Sequence, residues 1–261
     1  MRPQRTVKAE GTPERVQKVL AQLGLASRRE AEAWIRAGRL LVNGAPAVLG
    51  MRVGPHDEIK LDGRAVRQQA ALAVPVFLCH RSPGEPLLPS RAEPHGAEPA
   101  LSSIAARLPR RAGRRFIAIS PLPRVDGGLE LLTADGAMAA RLQRAIRGLE
   151  IEFSLRVRGE LSPEQLAAIR EGRLDRGSTI AVILLESAGG EGSNHWYRLV
   201  VRGASGNEVR QLIERAAVTL VRMLRTRLGP LRLPRTLPRS HWRELTATEL
   251  DALLGSSGSA P

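Results

Sequence analysis

Residues Phe116 to Gly136 read FIAISPLPRVDGGLELLTADG, and the fold turns on how this stretch is divided. An apolar approach, Phe116 to Ile119, leads to Pro121-Leu122-Pro123. Asp126-Gly127-Gly128 has the composition of a turn. The apolar run after it ends at Thr133-Ala134-Asp135-Gly136, with Asp135 placed to cap a helix. Ala137 to Ile146 then carries Met138, Leu142 and Ile146 at helical spacing. The stretch predicts a strand and a proline-bound turn that lead into a helix.

Working outward from it, Phe153 to Val157 alternates as a strand and Ser162 opens a helix ending near Glu171. Thr179 to Leu185 and Trp196 to Arg202 read as further strands. Val209 to Leu224 carries apolar residues at helical spacing, and Leu228-Gly229-Pro230 stops that region. A last helix is expected from Ala247 to Leu254, then a disordered tail, 255–261. Upstream, Val76 to His80 reads as a strand. Residues 82–115 are rich in Pro, Arg and Ala, with a helix expected from Leu101 to Leu108. Arg110, Arg111, Arg114 and Arg115 form a basic knot suited to phosphate or to a solvated turn. Strands and helices interleave without the βαβ repeat of a doubly wound fold. The expected class is α+β, with a mixed, mostly antiparallel sheet and packed helices over residues 76–254.

A smaller unit precedes it. Behind a polar basic tail, 1–12, Val16, Val19, Leu20 and Leu23 make one apolar stripe, with Pro13 in the first turn and Gly24 as the stop. Ser27-Arg28-Arg29-Glu30 is a capping box whose helix buries Ala31, Trp34 and Ile35. A strand, Arg39 to Val42, runs into the hairpin dipeptide Asn43-Gly44. Glu58 to Leu61 alternates as a strand and closes at Asp62-Gly63. Residues 13–63 thus read as one small domain and 64–75 as a linker.

The net charge of +14 narrows the class of partner. Lysine occurs only at 8, 18 and 60, so the excess is arginine, which pairs bidentately with phosphate. Aromatic residues are 3% of the chain, which disfavours a single-strand reader built on stacking platforms and favours structured RNA or duplex. No apolar run approaches a membrane span, and MRPQRTVKAEGTPER lacks the apolar core of a secretory signal. A cytoplasmic protein without a membrane partner is expected. Cys79 stands alone, which excludes an internal disulfide and argues against a Cys-based zinc site. His56, His80, His95, His195 and His241 have no ligand spacing, and no GxxxxGK occurs, so neither metal nor cofactor is expected.

Glu14 to Gly44, ERVQKVLAQLGLASRREAEAWIRAGRLLVNG, resembles the alpha-L RNA-binding domain first recognised in a small-subunit ribosomal protein, a likeness that extends to about residue 63. That resemblance implies RNA-backbone contact by the second helix and the Val42-Asn43-Gly44 loop, through Lys18, Ser27, Arg28, Arg29, Arg36, Arg39 and Asn43. A helix N-terminus favours an anion on its own account. Residues 76–250 are similar to the ribosomal RNA pseudouridine synthase family that carries such a domain at its N-terminus. The markers are Ser82-Pro83-Gly84, GLELLTADG, NEVRQL, and LVRMLRTRLGPLRL before HWRELTATEL. The family resemblance implies isomerisation of a uridine flipped out of its helix. In it an aspartate acts, an arginine of the same motif steadies it, a tyrosine packs on the uracil, and a lysine or arginine keeps the aspartate ionised. It further implies structured ribosomal RNA or ribosome assembly particles as partners of a monomer that needs no cofactor.

This chain departs from that pattern where the chemistry lies. Aligned without gaps on Gly128-Leu129 and Thr133 to Gly136, the Gly-Arg-Leu-Asp motif falls on Ser120-Pro121-Leu122-Pro123. Pro123 holds the aspartate position and offers neither carboxylate nor donor. The Lys-x-Tyr motif falls on Ile151-Glu152-Phe153, leaving Phe153 a ring to stack on a base. Asn-Lys-Pro falls on His80-Arg81-Ser82, and Arg81 is expected, with Phe153 and Arg210, among the RNA contacts. Arg-Gln-Val-Arg falls on Asn207 to Arg210 and keeps Arg210. The reading that follows is an RNA-binding member of the family that has lost its chemistry. The alternative is an active synthase with Asp126 and Arg124 displaced by three residues and Arg210 as the cationic partner. It needs the Asp126 carboxylate in the basic cleft, within hydrogen-bond reach of Arg210. Gly172-Arg173-Leu174-Asp175, the literal GRLD, reads as a surface turn, and Tyr197 as packing.

Overall fold

The computed structural model describes residues 13–23, 25–66, 75–89, 103–109, 115–175 and 177–255. The basic tail, Gly24, residues 67–74 of the linker, His95, the start of the Leu101–Leu108 helix, Arg110, Arg111, Arg114 and the final tail lie outside the described residues. The chain divides into two compact units, Met1–Val74 with Pro109–Arg115, and Pro75–Leu108 with Phe116–Pro261.

The first unit runs β1 (Glu14–Arg15), α1 (Val16–Gln22), α2 (Arg28–Arg36), β2 (Leu40–Val42), β3 (Ala45–Pro46), β4 (Arg52–Val53), β5 (Ile59–Leu61) and β6 (Arg64–Val66). Val16, Val19 and Leu20 of α1 meet Ala31 and Ile35 of α2 over Leu40, Val42 and Ile59, a core of its own. The sheet order is β3-β2-β5-β6, all antiparallel. Asn43 and Gly44 take positive φ, 52° and 82°, as a tight hairpin turn needs. Two expectations shift. Glu14 and Arg15 pair with β4, so α1 starts at Val16 and Pro13 stands outside it. Arg64 to Val66 pairs with β5, so the segment read as linker from residue 64 opens as a strand.

The second unit runs β7 (Val76–Arg81), α3 (Ile104–Arg107), β8 (Ile117–Ile119), β9 (Gly127–Thr133), α4 (Gly136–Ile146), β10 (Glu150–Arg158), α5 (Pro163–Glu171), β11 (Ala181–Glu191), β12 (Asn194–Arg202), α6 (Gly206–Arg215), β13 (Leu220–Leu228), β14 (Leu231–Arg232), β15 (Trp242–Glu244) and α7 (Ala247–Gly255). The main sheet has the order β11-β12-β10-β13-β9-β7-β15, with β8 on β9 and β14 on β13. Every pairing is antiparallel except the junction of β9 with β13. There two residue pairs, Gly127 with Leu224 and Gly128 with Arg225, join the two antiparallel halves. Alternation along β10 turns Ile151, Phe153, Leu155 and Val157 to one face. They pack there with Leu142 and Ile146 of α4, Ile169 of α5, Val209, Leu212 and Ile213 of α6, and Leu253 of α7.

The apolar spacing of Val209 to Leu224 is split by the structure. Helix α6 stops at Arg215, Ala217 takes φ 53°, and the chain continues as β13. Val218, Thr219 and Val221 are β-branched, and pairing with β10 settles that half as strand. No helix among the described residues is long and apolar enough to cross a membrane.

Candidate functional site

In the first unit the capping box fixes where the arginines stand. Ser27 Oγ accepts the Glu30 N–H at 3.2 Å, and the Glu30 carboxylate accepts the Ser27 N–H at 3.3 Å. Arg28 and Arg29 follow in the first turn, both exposed, and neither forms an ion pair with another described residue. That first turn is where helix N–H donors already favour an anion. The other expected contacts are more committed. Arg39 grips Asp62, with Nε donating to Oδ1 at 2.9 Å, and lies 5.5 Å from the centre of the Trp34 ring. Asn43 donates to Asp57 at 2.9 Å and accepts the Glu58 N–H at 2.8 Å, so it braces its loop. Lys18 pairs with Glu14, and Arg36 lies 3.8 Å from Glu32. Such exposed pairs are weak and exchange readily for phosphate.

In the second unit three buried charges hold the proline segment. Arg81 Nε donates to Glu130 at 3.0 Å, and Arg225 Nη2 donates to the other carboxylate oxygen at 2.9 Å. Arg81 also donates to the carbonyls of Leu122 (3.1 Å), Pro123 (2.8 Å) and Glu85 (3.1 Å). Arg225 donates to those of Leu129 (2.7 Å) and Ser120 (2.9 Å). Glu130 accepts the Leu122 N–H as well, at 3.1 Å. Burial pushes the Glu130 carboxyl up, against the pull of Arg225 and Arg81, and pushes the Arg225 guanidinium down. Arg81 is interior, not the RNA contact expected of it, because its donors are taken by Glu130 and by carbonyls within the fold. Glu130 and Arg225 escaped the sequence reading. The signal for the first was a single carboxylate inside the apolar run Leu129 to Leu132.

Ser120 opens this segment with φ 54°, a left-handed conformation that glycine adopts without cost. It occupies the glycine position of the resembled motif. Leu122 and Pro123 lie directly on Gly206 at the start of α6. A Cβ on Gly206 would come within 2.5 Å of Leu122 Cδ2 and 3.1 Å of Pro123 Cδ. Phe153 is wholly buried in the core with Leu122, so it presents no ring face to a base. That expectation also fails, because alternation turns Phe153 under the helices.

Asp126 ends the segment with no exposed surface. Arg210 Nε donates to Oδ2 at 3.0 Å and Nη2 to Oδ1 at 2.6 Å. The hydrogen bond to Asp126 raises the Arg210 guanidinium further above its ordinary range. Behind Asp126 the chain is clamped: a Cβ on Gly127 would lie 2.5 Å from the Arg81 carbonyl oxygen, and one on Gly128 2.4 Å from that of Arg225. Arg124, expected beside Asp126, turns outward and donates through Nε to the Gly84 carbonyl at 3.1 Å. The reach from Asp126 to Arg210 is thus present, but the carboxylate is enclosed and Arg124 points elsewhere.

The remaining candidates are structural. Asp175 of the literal GRLD pairs with Arg215 at 2.9 Å and with Gln211, and these bonds hold its carboxyl below the usual range. Asp135 caps α4 through the Ala137 and Met138 N–H groups, at 2.7 and 3.1 Å. Tyr197 Oη accepts the Leu161 N–H at 3.0 Å. Burial pushes the Cys79 thiol up, so it carries no thiolate chemistry. No group of His, Cys, Asp and Glu among the described residues is arranged to hold a metal.

Residues 14–59 match the S4 domain family. Over 250 residues the chain is 38% identical to "Ribosomal large subunit pseudouridine synthase B" of Pseudomonas aeruginosa, covering 95% of this chain and 64% of that relative. It is 36% identical over 246 residues to the protein of the same name from Salmonella typhimurium, covering 93% of this chain and 82% of that one. Among solved structures it is similar to one titled "Crystal structure of pseudouridylate synthase", with a TM-score of 0.57 at 20% identity, covering 92% of this chain and 99% of that one. That likeness bears on the fold.

Proposed function

This chain belongs to the ribosomal large subunit pseudouridine synthase family, and from that membership we propose that it keeps the family's RNA binding and has lost its isomerisation. The observation that carries the reading is the backbone at Ser120. Its positive φ supports the ungapped register, in which Ser120 stands for the motif's glycine and Pro123 for its aspartate. A shift by three residues would put the glycine position at Pro123, whose ring forbids positive φ. The packing agrees. Leu122 and Pro123 fill the space over Gly206, and Phe153 is sealed beneath them. Asp126 here neutralises Arg210, the cation that the motif otherwise pairs with its catalytic aspartate. On this reading the chain binds structured ribosomal RNA through the first unit, within assembling ribosomal particles in the cytoplasm, as a monomer without cofactor.

A second reading rests on the Asp126–Arg210 contact itself, the geometry an active carboxylate needs. It requires the Arg210 side chain or the proline segment to move, since nothing reaches the carboxylate as it stands. Tritium release separates the two, because forming the carbon glycoside expels the hydrogen from C5 of uracil. With ribosomal RNA transcribed from [5-3H]uridine triphosphate, the expected result is RNA retention on a filter and tritium release at background. Release by the wild type that Asp126→Asn abolishes would establish the second reading instead.

A further inference from the structure

The face of the sheet opposite the helices carries charges that the fold itself leaves unanswered. Arg156 of β10 stands directly between Trp196 of β12 and Arg222 of β13. Residues opposed on antiparallel strands point to the same side, so the three share one face, away from Phe153 and the core. The Arg156 guanidinium lies 5.8 Å from the centre of the Trp196 ring. Its Nε is shut off from solvent with no hydrogen-bond partner among the described residues. Neither Arg156 nor Arg222 forms an ion pair with a described residue, and the exposed Arg158 next along β10 forms none either.

This arrangement works against folding. Like charges directly across a sheet repel, and a buried donor without a partner costs the hydrogen bond it gave up. Elsewhere on the same strands Arg198, Arg202 and Arg227 have carboxylate partners. Glu152 takes Arg198 at 2.9 Å and Arg227 at 3.5 Å, and Glu150 takes Arg202 at 3.5 Å and Arg227 at 3.3 Å. Among the described residues of β10, β12 and β13, the arginines left without an ion pair are thus Arg156, Arg158 and Arg222. Two guanidiniums side by side match a phosphate, and an indole beside them suits a base.

We propose that Trp196, Arg156 and Arg222 form a second RNA contact, in which the two arginines take one phosphate and Trp196 stacks an unpaired base of the same strand. One aromatic accepts one base, which is compatible with a chain too poor in aromatics for an extended stacking platform. The contact rests on the RNA-binding reading above, and it is separable from the first unit because none of its residues belongs to it.

The test uses the full chain and a short fluorescent RNA hairpin with a single-stranded tail, titrated between about 50 and 200 mM salt. The double variant Arg156→Gln/Arg222→Gln is expected to bind about tenfold more weakly and to lower the slope of log affinity against log salt by about 0.7, the value of one phosphate on a single strand. Trp196→Ala weakens binding with little change in slope, because stacking releases no counterion. Arg156→Lys/Arg222→Lys keeps both charges and recovers the slope, which a purely structural role for the pair would not produce. A double variant that melts and binds as wild type does, while Arg28→Gln/Arg29→Gln weakens binding, would overturn this contact and leave the first-unit reading in place. Failure of the wild type to bind the hairpin would overturn both.

Discussion

Removing the charge of Asp126 leaves Arg210 facing an amide, and the remaining cost depends on how much water reaches the guanidinium. Arg210 is one-quarter exposed, so water answers part of the loss. Asp126→Asn is expected to destabilise by about 1.5–3 kcal/mol, the worth of hydrogen bonds to a charged group, read as a shifted urea midpoint. Glu130 has no such relief. Glu130→Leu leaves Arg81 and Arg225 both buried without their carboxylate, and about 3–5 kcal/mol is expected to be lost even though leucine suits the strand. A urea midpoint indistinguishable from wild type would contradict the triad's role. The oddity of Glu130 was legible as one acidic letter in an apolar run. Its partners were not, because β7 and β13 reach β9 from opposite sides and from distant parts of the chain.

Among the elements, helix α2 was readable because its signal is local. Ser27 and Glu30 satisfy each other's backbone donors whatever the rest of the chain does. Ser27→Ala should cost about 1 kcal/mol of stability, seen as a lower melting temperature, and should weaken RNA binding through Arg28 and Arg29, which that turn positions. The stretch Val209 to Leu224 was misread because an apolar spacing alone does not say whether helix or strand neighbours will pair with it. The last helix, α7, holds a pH-sensitive brace. The Arg243 guanidinium, with Thr246, holds the Glu249 carboxyl at about 2. A carboxyl depressed by folding adds stability above its unfolded value, 4.5, and loses it as pH falls towards 2. Urea midpoints measured down this range should fall less steeply for Glu249→Gln than for the wild type. Parallel acid limbs would contradict the brace.

At the scale of the molecule, the two units and the mixed sheet were legible because their markers lie in order along the chain, each with its own core. The state of the motif's aspartate position was half legible. Pro123 could be read from the ungapped motif, but the enclosure of Asp126 depends on α6 folding back across the sheet junction. Arg81 and Phe153, both expected to face RNA, are interior, the first held by Glu130 and the carbonyls of the proline segment, the second turned under the helices by alternation along β10. The charges proposed for RNA are arginines, Arg28 and Arg29 among those of one unit and the Arg156 row in the other. The central claim is that this fold now binds ribosomal RNA without rearranging a uridine. Pseudouridines mapped at single-nucleotide resolution in ribosomal RNA, from cells with and without the gene and from cells carrying Asp126→Asn, test it most directly. Identical maps, with the protein still co-sedimenting with ribosomal particles, are expected. A pseudouridine that vanishes on deletion and is not restored by Asp126→Asn would contradict it.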